Sequence, residues 1–302
     1  MMFSGPWKES QSLAAKECVE IETECWDIHA MLILMNIIHG RGRNVPRQVS
    51  LKTLSEMAAL VDYYECHEVV DVMSGVWINN FVLQMPAAFG TDIILWIFIS
   101  WVFQQPHQFT LATKIAAAQS KQRIDPGDLP IPQRILDKIE EHRRNGVKSA
   151  LDMSYQLMTD LRDGRKHCSD VCDALRLGLL IKQLHAGGQL PSLPAIFVPN
   201  ISLMQVASIL QKTSTVHYCG GAVEMQPPSL FGTRVPEERH SPSPHGCSLV
   251  PLIQPILQDV QNRLRGFELS EFKNQPRALV GDIPAGFSRL SLNFGTAPAL
   301  AQ

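Results

Sequence analysis

Val19 and Ile21 alternate with Glu20 and Glu22 in the segment CVEIET, Cys18 to Thr23. That period of two predicts a half-buried strand, the one convincing strand signal in the chain. The pattern then changes. Asp27 stands where a helix N-cap should, ahead of the apolar run Ile28 to Ile38, and Gly40 supplies a stop. Because the run is apolar on most sides, it predicts a helix enclosed by others rather than one on the surface.

Helical spacing continues downstream. Leu51, Leu54, Met57, Ala58 and Val61 form one apolar face, and Val70, Met73, Trp77 and Phe81 a second, which Pro86 brings to an end. An apolar helix over Ile93 to Phe103 and a weaker one over Gln108 to Gln119 follow, then a turn at DPGDLP. From first-turn Pro132, apolar residues from Ile135 to Leu161 recur up to Gly164, predicting one long helix with a kink at Gly146. Shorter helices are predicted over Asp173 to Leu184 and Ile201 to Leu210. In Leu249 to Leu264, Pro251 and Pro255 are expected to confine regular helix to the second half. Thr213 to Gly246, rich in Pro, Gly, Ser and His, reads as a mobile loop, and the chain from Lys273 onward as disordered. The fold class is therefore mainly α, a helical bundle.

Composition narrows function by exclusion. The chain has 302 residues, enough for a large core without metal or disulfide staples, and 45% of them are hydrophobic against 19% charged. A net charge of −2 gives no electrostatic case for nucleic acid or anionic membrane as the main partner. The run DIILWIFISWVF holds only about half of the ~20 apolar residues that a membrane crossing needs, so a buried core helix is expected there. Seven scattered cysteines, with no signal-like layout at MMFSGPWKES, imply a reducing compartment, nucleus or cytoplasm.

The order MMFSGPWKES, VEIET, DIHAMLILMNIIHGR, LKTLSEMAALVDYYECHEVV and a Trp-bearing helix resembles the second half of a BTB/POZ domain. Met2, Phe3, Leu32, Leu34, Ile37, Ile38, His39, Gly40, Leu54, Leu60, Tyr63, Tyr64, Cys66 and Val69 fill the family's positions over roughly residues 1 to 82. The later segments ILWIFISWVF, DLPIP and LMTDLRDG look like uncharacterised fungal BTB-like proteins. The resemblance implies a partial BTB/POZ-like part over residues 1–85, a helical C-terminal region over 86–272 and a tail over 273–302. It also implies a non-catalytic protein-interaction module of BTB-like type, with an adaptor role as one expectation. The two strands, helix and third strand that open a complete domain have no counterpart before Met1, which puts BTB-type homodimerisation in doubt and leaves the strand without a neighbour.

Candidate chemistry is sparse. Trp7 and Glu9 match the hydrophobic-any-Glu motif with which BTB domains of this kind recruit a cullin-type ubiquitin ligase scaffold. Trp7 would anchor in a partner's pocket and Glu9 would orient it; the plainer reading packs Trp7 on its own domain. Cys168, Cys172, His245 and Cys247 could together hold a tetrahedral zinc and pin the loop, the basis of an alternative metal-dependent regulator or enzyme, but tight C-x-x-C pairs are absent. No metal, cofactor or catalytic residue is assigned. His39 lacks any group placed to exchange its proton and reads as a helix C-terminal residue, with Arg41, Arg43 and Arg47 in a solvated loop matched to the helix dipole.

Overall fold

The computed structural model describes residues 20–23, 26–81, 84–166, 170–188, 200–214, 248–272 and 290–293. Among them the chain is mainly helical. The helices are α1 (Ile28–Ile38), α2 (Leu51–Tyr64), α3 (His67–Phe81), α4 (Thr91–Val102), α5 (Pro106–Gln119), α6 (Gln133–Arg162), α7 (Asp170–Ala186), α8 (Leu203–Ser214) and α9 (Val250–Arg263). No helix of the described residues is long and apolar enough to cross a membrane.

Two strands accompany them. The expected strand, β1 (Glu20–Thr23), pairs antiparallel with β2 (Leu290–Asn293), Glu20 opposite Asn293 and Thr23 opposite Leu290. β1 thus has a neighbour after all, and it comes from the stretch read as disordered. Leu290 and Leu292 do alternate with Ser291 and Asn293, but over too few residues for the period to be distinctive. The rest of the expected tail lies outside the described residues. So does the loop expected over Thr213 to Gly246, apart from Thr213 and Ser214, which finish α8.

The chain divides into two compact units. The first groups the described residues up to Ile115 with Asp125–Leu136 and those from Gly266 on; the second holds Ala116–Ile124 and the described part of Asp137–Arg265. No division falls near residue 85. The apolar α4, expected in the C-terminal region, instead packs directly on α2.

In the first unit α2 is central, touching α1, α3 and α4. Leu54, Met57, Ala58 and Val61 of the face that the helical period selects are buried, Leu51 is half-buried, and Ser55, Ala59 and Leu60 are buried beside them. Ser50 caps it by accepting a hydrogen bond from Thr53 N at 3.0 Å, and Glu65 closes it in the left-handed region at φ 52°. α4 buries Ile93 and every residue from Trp96 to Val102, as its apolar sequence leads one to expect. At the start of α1, Asp27 accepts from Ala30 N at 2.9 Å. At its end Gly40, at φ +66°, lets Arg41 N reach Asn36 O (2.8 Å) and Gly40 N reach Ile37 O (3.0 Å), the paired bonds of a Schellman motif. Trp77 Nε1 donates to Pro46 O at 2.8 Å, tying the Arg-rich loop to α3.

One expectation fails here. α1 is buried along Ala30, Met31, Ile33 and Leu34, whereas Ile28, Leu32 and Ile38 are exposed. An apolar run of 11 residues has a full circumference, and α2 and α3 cover only one side of it.

Trp101, Phe109, Phe267 and Phe272 form an edge-on aromatic cluster that closes the same unit, with the Arg134 guanidinium 5.3 Å from the Trp101 ring centroid. Phe267 is fixed at both ends: Thr113 Oγ1 accepts from its N–H and Thr110 Oγ1 donates to its carbonyl, each at 3.0 Å. This approach is close enough that a Cβ on Gly266 would sit 1.8 Å from Thr110 O.

The second unit is built on α6, whose Val147, Ala150, Leu151, Leu157 and Leu161 share a core with α7, α8 and α9. Gly146 lies within α6, where its place is explained by contact: an added Cβ would meet the Leu203 side chain at 3.1 Å. Buried Arg143 makes a two-pronged bond to Glu140 (2.8 and 2.7 Å) and donates to Ile201 O at 3.0 Å, fixing the approach to α8. Ser202 and Gln205 then satisfy each other's backbone N–H groups in a capping box. α9 runs from Val250 through both prolines, contrary to expectation. Pro251 occupies the first turn, where its missing N–H would be unpaired in any case, and burial of Ile253, Ile256 and Val260 offsets the bond that Pro255 removes.

Gly266→Ala forces a backbone clash that no rotamer change can relieve. It is expected to destabilise the first unit by roughly 3 kcal/mol or more, read as a large fall in the thermal unfolding midpoint relative to a control substitution at solvent-open Gly75.

Candidate functional site

The proposed docking pair Trp7 and Glu9 lies outside the described residues, as do Cys168, His245 and Cys247 of the possible zinc set. Cys172 is described, on the inner, buried side of α7. Among the described residues no group of three or more His, Cys, Asp or Glu side chains could hold a metal ion. His39 is the exposed C-cap residue of α1, its backbone N–H bonded to Met35 O at 2.9 Å, and Arg41, Arg43 and Arg47 are exposed around it.

The first unit does bring together a corner that the sequence only hinted at. Trp26, just before the Asp27 cap, packs edge-on against Tyr63 near the end of α2, with ring centroids 5.1 Å apart, and Tyr63 meets Tyr64 at 5.0 Å. Trp26 is buried by this arrangement, while both tyrosines stay exposed. Next to Trp26 along the chain, Ile28 and Leu32, one turn apart on α1, are 49% and 48% exposed. Val69 and Val72 on α3 are also exposed, Val72 at 77%. Large apolar groups are thus left open on three successive helices, beside the ring contacts of Trp26, Tyr63 and Tyr64.

Partial burial also shifts titration at this corner. Burial pushes the Tyr64 phenol up, a hydrogen bond with Trp26 opposing it, and burial likewise pushes up the Cys66 thiol. Glu56 is also raised, first by burial and then by the charge of Asp27, with Lys52 opposing.

The second unit contains a convergent polar cluster that includes serine, histidine and aspartate. Ser149 Oγ donates to Asp259 Oδ2 at 3.0 Å, Arg263 Nε donates to the same oxygen at 2.8 Å, and Arg263 Nη2 reaches Ser149 Oγ at 3.3 Å. His142 Nε2 lies 2.8 Å from the Arg263 carbonyl oxygen. Serine, histidine and aspartate are all present, yet the serine is bonded to the carboxylate and not to the imidazole. Arg263 holds Asp259 below the usual carboxylate range, with Ser149 adding to the effect against desolvation, so Asp259 is a weak base. The cluster fastens α9 to α6 and lacks the base–nucleophile pairing that acyl transfer requires.

No protein-family model matches the chain, and neither does any curated protein or solved structure. The case for function therefore rests on the surfaces above.

Glu56 and Asp259, two of the perturbed carboxylates, give opposite pH dependences. Asp259, lowered from 3.8, contributes stability above that pH and loses it as pH falls through its folded value. Asp259→Asn should therefore cost about 1 kcal/mol at pH 7 and progressively less as pH falls below 3.8. Glu56, raised from 4.5, is most tolerable when protonated, and its ionisation opposes folding as pH rises above that value. Glu56→Gln should gain about 0.5 kcal/mol at pH 7 after solvent screening and nothing near pH 3. Urea unfolding across pH checks both signs.

Proposed function

We propose that this chain is a non-catalytic protein–protein interaction module that serves as an adaptor in the nucleus or cytoplasm. The observation that carries the reading is the corner of Trp26, Tyr63 and Tyr64 with exposed Ile28, Leu32, Val69 and Val72. Aromatic rings supply large contact area at small entropic cost, and anchors of this kind dominate binding energy at interfaces. BTB-like descent belongs to the same proposal and is supported by the residue pattern from Met2 to Val69. It makes a cullin-type ubiquitin ligase scaffold the first partner to test, through Trp7 and Glu9.

Purified full-length protein should bind such a scaffold or another protein recovered by affinity capture. Trp7→Ala and the surface pair Leu32→Glu with Val72→Glu should each weaken that binding about tenfold or more, with circular dichroism unchanged. If both variants retain every partner at wild-type strength, the adaptor reading is wrong.

A further inference from the structure

A second apolar face, in the other unit, has the symmetry of a self-pairing surface. The inner side of α7 carries buried Cys172, Asp173, Arg176, Leu179, Leu180 and Leu184. On the outer side Val171 is 70% exposed, Leu175 46% and Ile181 37%. With Ala174 and Gly178 these residues fall at spacings of three and four, so they share one stripe along the helix. Gly178 is the low point of that stripe, and a Cβ built on it would find no atom within 4 Å.

The charges at the two ends of the stripe are opposite. Asp170 is exposed in the first turn, His185 is exposed in the last, and Lys182 is exposed just before it. We propose that α7 pairs antiparallel with α7 of a second copy of this chain, about a two-fold axis at Gly178. In this register Leu175 lies opposite Ile181 of the other copy, and Val171 opposite His185. Glycine faces glycine at the centre, where small residues allow helices to approach closely. Asp170 comes beside the basic last turn of the other helix, at both ends of the pair. The two helix dipoles also run in opposite directions, as antiparallel packing favours. A parallel pair would place acid beside acid and base beside base. A foreign partner would have no reason to match both the charge order and the central glycine, whereas a second copy matches them by symmetry.

Analytical ultracentrifugation of the full chain tests the pairing. A dimer is expected at tens of micromolar, and Leu175→Lys with Ile181→Lys should weaken it at least tenfold while circular dichroism stays unchanged, since both side chains are exposed. Asp170→Lys should weaken it too, and combining it with Lys182→Asp and His185→Asp should restore it. Gly178→Cys should give an oxidation-dependent covalent dimer above the wild-type background, and Val171→Cys should not. The proposal is overturned by a monomer at every concentration, by a dimer indifferent to the Leu175 and Ile181 changes, or by cross-linking through position 171 in place of 178.

Discussion

Ile93 and the unbroken sequence from Trp96 to Val102 leave water, and the packing of their helix on α2 organises the first unit. Each large apolar side chain fully buried this way contributes about 1.5–3 kcal/mol, against about 1–2 kcal/mol for fixing each residue's backbone. A helix with so few polar positions has no soluble alternative. α2 answers it with Leu54, Met57, Ala58, Leu60 and Val61, and α1 and α3 then share the sides of α2 that remain. Because α1 and α3 are covered on one side only, their outer faces keep Ile28, Leu32, Val69 and Val72 in water. The exposure of these apolar groups is thus a by-product of how the core is filled.

Much of this architecture could be read from residue spacing. The caps at Asp27 and Gly40, the faces of α2 and α3 and the burial of α4 all follow from local rules: a side-chain acceptor at an N-cap, a left-handed glycine and a 3.6-residue period. Where reading failed, the deciding fact was not local. The run Ile28–Ile38 says that α1 is apolar all round, but not how many neighbours it has. Pro255 is a helix breaker by propensity, and Ile253, Ile256 and Val260 on the same helix outweigh it through tertiary burial. At Gly146, where a kink in α6 is expected, the added constraint is the side chain of Leu203, 57 residues later in the chain by numbering. Gly266 carried no sequence signal, since its constraint comes from the carbonyl of Thr110.

The candidate site was less legible. Tyr63 and Tyr64 stand out in sequence, but Trp26 gives only the faint sign of an apolar residue just before an N-cap. Its ring contacts with Tyr63 and Tyr64 depend on where α2 ends. The cluster of Ser149, Asp259 and Arg263 joins residues more than a hundred positions apart and has no motif at all. It also shows why residue types alone mislead: the same side chains that can form a hydrolytic triad here form a structural tie, because arginine occupies the carboxylate that a histidine would need.

Hydrogen exchange on the full-length protein, followed by mass spectrometry, tests most directly whether the α2–α4 contact is the organising core. The account predicts that amides of Leu54–Val61 and Trp96–Val102 exchange slowest within the first unit and slow together. Exchange in either segment as fast as in the Arg41–Arg47 loop would contradict it.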